Sequence, residues 1–274
     1  MNYSPLVSIC IPAYNAEKFI KETIECVINQ TYQNLEIIIT DNCSDDSTPQ
    51  IIKSFYDTRI HYIRNESNIG AQANSNKAIG LAKGKYIKLL CADDIIYPEC
   101  IQLQVEIFEN PQNTNLVMVC ANKNVINQEG KKILTKKFPG KTGYLNGLKS
   151  IRKSIHYGTN IIGEPASVLF KRNVLESSGY FSTDNLFVMD FDLWSRMLLF
   201  GDLYAIDKVL YEFRISTSSL STNMGIGQVN LFNKFVDKLY EDKRFKINRI
   251  DKFRGKIMSL LMGIARNGVY LISH

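Results

Sequence analysis

The stretch Y-I-K-L-L-C-A-D-D, residues 86–94, decides how this chain folds. Its first five residues form a short, mostly apolar run bounded by Gly84 and a charged cluster, the pattern of a buried strand. It passes without a turn residue into two adjacent carboxylates, Asp93 and Asp94. Comparable runs lie upstream at 6–11, 35–40 and 59–64, each followed by a helical pattern, at 16–28, 47–55 and 71–82. Downstream, a helix near 98–108 leads to a further strand at 116–120. Strands alternating with helices predict an α/β fold with a mostly parallel central sheet flanked by helices.

In open sheets of this kind ligands bind beyond the carboxyl ends of the strands, so the informative loops follow Pro12, Thr40, Arg64 and Leu90. At the end of 86–90, Asp93 and Asp94 emerge together, which suits a hard divalent ion, Mn2+ or Mg2+, that leaves positions open for phosphate oxygens. A helix-start pair before Ile95 and Pro98 is the alternative reading. The first strand ends V-S-I-C-I-P-A-Y-N, where Pro12 stiffens the exit and Ala13, Tyr14 and Asn15 offer backbone groups and an aromatic face to a planar base. Asn15 also suits a helix cap.

The second strand ends E-I-I-I-T-D-N-C-S-D-D-S-T. Asp41 stands at its tip, where a carboxylate can accept the imide hydrogen of uracil. Asp45 and Asp46 read as a helix-start cluster favoured by the macrodipole, with Ser47 or Asp46 as the cap. In N-I-G-A-Q-A-N-S-N-K, residues 68–77, Gly70 frees the backbone at a helix start, and Asn68, Asn76 and Lys77 stand where a diphosphate could be approached. This is neither G-x-G-x-x-G nor a P-loop. Finally, V-M-D-F-D-L-W-S-R-M, residues 188–197, opens a helix. Asp190 and Asp192 are two apart, so at most one faces the crevice; Asp190 is the candidate general base, with Trp194 beside it.

Composition bounds the partners. The 274 residues are 45% hydrophobic and 22% charged, with a formal charge of +6. That balance suits phosphate ligands or an anionic membrane surface, but the basic residues are dispersed and never form a run of five, which argues against nucleic acid. Six cysteines lie in the first half with no C-x-x-C pair, and read as free thiols of a reducing compartment. Neither a leader pattern nor the roughly 20 apolar residues of a membrane span is expected, which points to the cytoplasm.

Taken in order, these clusters resemble the family 2 glycosyltransferases of GT-A fold, from Val7 to about Ser221. The resemblance rests on Pro12 to Asn15, Asp41 to Thr48, Asn68, Gly70, Asn76 and Gly84, Ala92 to Asp94, and D-F-D-L-W-S-R from Asp190. It implies a Rossmann-like sheet whose nucleotide-binding half is 1–121 and acceptor-binding half 122–221, followed by a helical extension at 222–274. It implies a transferase that moves a sugar with inversion from a nucleotide-diphosphate sugar, UDP-linked, to a hydroxyl of a saccharide or lipid-linked saccharide in surface-glycan assembly. Asp41 would contact the base and Ala92 and Asp93 the diphosphate side; Asp93, with Asp94, would hold the metal. Asp190 would deprotonate the acceptor, and Glu164, in G-E-P-A-S-V-L-F-K-R, and Trp194 would lie near it.

Three departures stand out. Cys91 replaces the first carboxylate of a D-x-D pattern, Ser75 stands where an arginine often precedes Asn76, and Ser216 stands where R-x-H-x-x-S would place a histidine. Arg214 remains and is assigned to the donor. A non-catalytic nucleotide-sugar-binding or scaffold protein is the alternative. A sugar nucleotidyltransferase expects a glycine-rich basic loop that 7–15 lacks. The C-terminal segment places apolar residues at helical spacing beside lysines and arginines, for packing, a second subunit, or peripheral contact with the inner face of a membrane.

Overall fold

The computed structural model describes residues 4–182, 188–215 and 227–272, with side chains as far as 265. Ser216 lies outside the described residues. β1 (Val7–Ala13) is apolar on both faces. Val7, Ile9 and Ile11 pack on the layer that holds α1 (Ile20–Ile28) and α4 (Cys100–Glu109), and Cys10 packs on the other. β2 (Leu35–Asp41) and β4 (Tyr86–Leu89) lie parallel on either side of β1, and β3 (Ile60–Arg64) extends the set beyond β2. α2 (Thr48–Lys53) and α3 (Ala71–Gly80) complete the crossovers.

The rest of the sheet is mixed. Its order is β3-β2-β1-β4-β9-β6-β10-β5, where β5 is Ile95–Ile96, β6 Leu116–Ile126, β9 Leu169–Lys171 and β10 Asp202–Arg214. β9 runs antiparallel to both neighbours, so β6 and its parallel partner β10 again point the same way as β1. β7 (Lys132–Lys136) and β8 (Gly143–Leu145) pair with β6 and β10 off this path. The expected α/β fold with a mostly parallel sheet is therefore present.

Close approach fixes one glycine. A Cβ on Gly84 would lie 2.7 Å from the Ser8 nitrogen and 2.8 Å from the Leu6 carbonyl oxygen. The Gly84 N–H instead donates to Ser8 Oγ at 2.8 Å and to Glu36 Oε1 at 3.0 Å. Those bonds satisfy a carboxylate buried between β1 and β2.

Two boundaries differ from expectation. β6 continues six residues past 120, through A-N-K-N-V-I, because its polar side chains find partners inside the fold. The seam at 121/122 thus falls within a strand, and one sheet serves both halves. The first helix begins at Ile20 with Phe19 at its cap and no side-chain cap bond. Asn15, at φ 46°, does not cap it; its Oδ1 accepts from the Asp45 N–H at 3.1 Å.

α5 (Gly147–Tyr157), α6 (Arg172–Ser178) and α7 (Met189–Met197) cover the second half. The C-terminal helices α8 (Gly227–Glu241) and α9 (Arg249–Ile272) close it. α8 joins the same core as α7: Phe191 stacks on Phe232 at 6.2 Å and meets Phe235 edge-on at 5.2 Å. None of the six cysteines is in a disulfide. Among the described residues, no helix is long and apolar enough to cross a membrane.

Candidate active site

Parallel register puts the strand ends level: Ala13 pairs with Asp41, and Asp41 with Arg64. The loops beyond them are stitched together by polar bonds. Asn15 N–H donates to Ser44 Oγ at 3.0 Å, and Ala16 N–H to Thr48 Oγ1 at 2.8 Å. Glu17 N–H donates to Asp46 Oδ2 at 3.1 Å, and Asp46 Oδ1 accepts from the N–H of Thr48, the first residue of α2, at 2.9 Å; the cap position itself is Ser47, with no side-chain cap bond. Pro12 is half-buried, Ala13 buried and Tyr14 about half exposed, so of these three the Tyr14 ring is the group most open to solvent.

Asp41 is fully buried. Oδ1 accepts from Ser44 N–H at 2.9 Å and Oδ2 from the Tyr62 hydroxyl at 2.8 Å, with Arg64 Nε at 3.7 Å. A base can reach this carboxylate only by displacing one of those partners. Beside it, Asn42, Asn65 and Asn74 form a buried amide network that the sequence reading missed. Asn65 Nδ2 donates to Asn42 Oδ1 and to Asn74 Oδ1, both at 3.0 Å. Lys77 Nζ donates to Asn65 Oδ1 at 2.7 Å, and Asn42 Nδ2 to Asn68 Oδ1 at 2.7 Å. Asn68 also accepts from the Gly70 N–H at 2.9 Å, holding Gly70 at φ 87° where an added Cβ would meet open space.

Asn68, Gly70 and Lys77 are exposed along this rim. Asn76 is not available in the same way. It donates to and accepts from the Phe181 backbone at 2.9 and 3.0 Å, which ties α3 to the second half.

The acidic turn follows β4. Antiparallel pairing of Ile96 with Tyr211 and Ile95 with Glu212 brings it against the end of β10. Ligand atoms of Cys91, Asp93 and Asp94 lie within 4.8 Å of one another, with the half-buried Ala92 between them. Asp94 is fully buried; Oδ1 accepts from Arg214 N–H at 3.1 Å, and Oδ2 has no partner. Burial, then the charge of Asp93, push the Asp94 carboxyl well above its ordinary range; burial also raises Asp93. Burial followed by these carboxylates raises the Cys91 thiol. An orphaned buried oxygen among groups that resist ionisation is what a divalent cation relieves, so the donor set fits one.

Arg214 is anchored beneath this turn and is 2% exposed. Nε donates to the Asp93 carbonyl at 3.0 Å, Nη1 to the carbonyls of Asn127 and Gln128 at 3.3 and 3.2 Å, and Nη2 to Glu22 Oε2 at 2.6 Å. Its guanidinium also covers the Phe19 ring at 4.5 Å. Arg214, expected at the donor, has its guanidinium committed to the Asp93–Asp94 turn and its neighbours.

Of the two α7 carboxylates, Asp192 is taken by Arg196 Nε at 2.9 Å and Lys238 Nζ at 3.2 Å. Asp190 Oδ1 is buried without a partner. Burial, reinforced by the charge of Glu164 and opposed by Lys123, raises the Asp190 carboxyl from 3.8 to about 7. For Glu164 burial is outweighed by Lys123, and its carboxyl falls to about 2. Lys123 ion-pairs with Glu164, and its Nζ lies 4.6 Å from the Phe213 ring centre; the Tyr211 hydroxyl donates to Glu164 Oε2 at 3.0 Å. Lys123 and Tyr211 were missed because the strand holding Lys123 was expected to end at 120. The lysine inside the alternating run A-N-K-N-V-I was the available signal.

Trp194 is fully buried, between Phe170 and Phe181, and its Nε1 donates to the Gly163 carbonyl at 3.0 Å. Expected beside the acceptor, it instead lies inside the core and fixes the backbone that presents Glu164. Gly163, at φ 111°, could not carry a Cβ, which would meet Ser167 Cβ at 2.8 Å.

Comparison with known proteins accords with this fold. A family profile described as Glycosyl transferase family 2 matches residues 8–179. The putative teichuronic acid biosynthesis glycosyltransferase TuaG of Bacillus subtilis is 30% identical over 226 residues, covering 81% of this chain and 84% of TuaG. The fold superposes on S. aureus TarS 1-349 in complex with UDP-GlcNAc with a TM-score of 0.71 at 17% identity, over 93% of this chain and 71% of that one. It superposes on the mannosyltransferase PcManGT from Pyrobaculum calidifontis, in complex with GDP-Man and Mn2+, with a TM-score of 0.66 at 16% identity, over 99% of this chain and 74% of that one.

Proposed function

Because the chain belongs to glycosyl transferase family 2, we propose that it transfers a sugar, of hexose type, from a UDP-sugar to an acceptor hydroxyl with inversion, in the assembly of a cell-surface glycan. The observation that carries this reading is a pair of buried carboxyl groups, each with an oxygen that has no partner and each close enough to Cys91 to raise its thiol. Asp94 Oδ2 is a buried oxygen without a partner in the Cys91–Asp93–Asp94 turn, and Asp190 holds a raised proton affinity on α7.

Each step falls to a named group. Tyr14, Asn68, Gly70 and Lys77 line the rim beyond β1 and β3, and Lys77 adds positive charge beside the diphosphate. Asp93 and Asp94 would hold Mn2+ or Mg2+, which supplies charge neutralisation for a departing nucleoside diphosphate. Glu164, kept ionised by Lys123, accepts a hydrogen bond from an acceptor hydroxyl. The Asp190 carboxylate takes the proton of the attacking hydroxyl as that oxygen bonds to the anomeric carbon and the bond to the diphosphate breaks on the opposite face. A base near 7 is half ionised at neutral pH and strong enough to take the proton in the transition state.

A surface-glycan acceptor is supported by the likeness to TuaG, and the UDP donor by the likeness in fold to TarS, which is seen in complex with UDP-GlcNAc. The test is to incubate the chain with UDP-sugars, Mn2+ and oligosaccharide acceptors and read UDP release together with the anomeric configuration of the product. Release that depends on acceptor, with inverted configuration, is expected. Tight donor binding with neither transfer nor hydrolysis would replace the enzyme with a nucleotide-sugar-binding protein, and a retained configuration would remove the single-displacement step.

A further inference from the structure

α9 buries one side and leaves the other bare. On the buried side Asp251, Gly255, Ser259 and Gly263 recur at every fourth position. A Cβ on Gly255 would lie 2.5 Å from Ile155 Cγ2, and one on Gly158 only 2.3 Å from the Met258 carbonyl carbon, so α5 and α9 touch nearly backbone to backbone. Ser259 donates to Asn233 of α8 at 2.8 Å, and Lys252 and Lys256 both reach Asp237 of α8 at 2.8 Å. The helix is thus firmly held.

The opposite side carries Ile250 (77% exposed), Phe253 (69%), Ile257 (47%), Leu260 (52%), Leu261 (52%) and Ile264 (65%). Spaced by three and four residues, apart from the adjacent Leu260 and Leu261, all six fall on one stripe, about 20 Å long at 1.5 Å per residue. Nearly half of the exposed large hydrophobic side chains of the described structure gather on this one helix, a continuous patch rather than scattered residues.

The charge around the stripe selects its partner. Lys243, Arg244, Lys246, Arg249 and Arg254 are exposed at or just before the helix. The acidic groups nearby are largely spoken for: Asp251 is buried against His156 at 2.7 Å and Arg152 at 3.1 Å, and Asp242 is taken by Arg244 at 2.6 Å. A second copy would set basic flank against basic flank. An anionic bilayer would receive the apolar stripe at its headgroup boundary and the basic flank at its phosphates.

We propose that α9 is an in-plane docking helix that seats this protein on the surface of an anionic phospholipid bilayer. The assignment is independent of the sugar-transfer reading, since none of these residues belongs to the crevice. The stripe is already bare in the folded chain, so polar replacements there leave the core untouched.

The test is co-sedimentation of the full chain with phosphatidylglycerol vesicles and with phosphatidylcholine vesicles, at low and high salt. It uses the parent, Phe253→Ser/Leu260→Ser, and Arg249→Glu/Arg254→Glu as a second variant that keeps the apolar stripe; unfolding midpoints verify the fold. Binding to phosphatidylglycerol that salt weakens, and that either double variant reduces at least about tenfold, is expected. Equal binding to both vesicle types, binding unchanged in both variants, or no binding at all would overturn the proposal. So would a concentration-dependent dimer of the parent that Phe253→Ser/Leu260→Ser breaks, which would give the stripe to a second copy.

Discussion

Replacing Asp190 with Asn tests the base and its environment in one molecule. Asp190 sits in the folded protein with its carboxyl raised from 3.8 to about 7 by burial and by Glu164. A raised acid adds stability that is fully present below the unfolded value and is lost as pH rises through the folded one. Near pH 5.5 the folded chain keeps a proton that the unfolded chain has released, and near pH 8.5 neither keeps it. Linkage then makes the parent less stable at the higher pH by about 2 kcal/mol through this residue alone.

Asp190→Asn cannot titrate, so its stability relative to the parent should improve by about 2 kcal/mol between those two pH values, read by urea unfolding at each. The shared titrations of Asp93 and Asp94 cancel in that difference. The same variant should lose roughly 100-fold or more in transfer rate, and the parent's rate should climb through neutral pH to a plateau. A relative stability that does not change with pH, or a variant that transfers at the parental rate, would refute the assignment.

Three further substitutions read the supporting structure. Lys123→Met strands Glu164 without its partner; because the Glu164 side chain is about a third exposed, the loss should be about 2 kcal/mol in denaturant unfolding. It should also move the rising limb of the rate profile to higher pH, since the Lys123 charge lowers Asp190. Trp194→Phe removes the indole bond to Gly163 and leaves a small cavity, costing about 2 kcal/mol; steady-state kinetics should show a raised acceptor KM with donor binding unchanged. Gly84→Ala drives a methyl into the Ser8 and Leu6 backbone and should cost about 3 kcal/mol, seen as a lower unfolding midpoint.

The parallel half of the fold was legible because each crossover has strong local signals. Strands such as 7–13 and 86–89 are apolar on both faces, and their helices carry clear periodicity. Asp93, Asp94 and Asp190 stood out as candidates because carboxylates at the end of an apolar strand or the start of a helix are placed where open sheets bind ligands. What stayed hidden depends on long-range contacts. Arg214 and Asn76 have the side chains of ligand contacts, yet they bond to backbone far away in sequence, at Asp93 and Phe181. Trp194 stands beside the candidate base in sequence but points into the core. Lys123 could be placed opposite Glu164 only once β6 was seen to run on to Ile126, and the exposed side of α9 only once α5 and α8 were seen to occupy the other.

The central claim is tested most directly by titrating UDP into the purified chain calorimetrically, with and without Mn2+, and repeating the titration on Asp93→Asn. UDP binding that requires Mn2+ in the parent and is lost in Asp93→Asn is the predicted result. No binding of UDP under either condition, or binding that Asp93→Asn leaves unchanged, would contradict the assignment of the Asp93–Asp94 turn as the metal-assisted donor site.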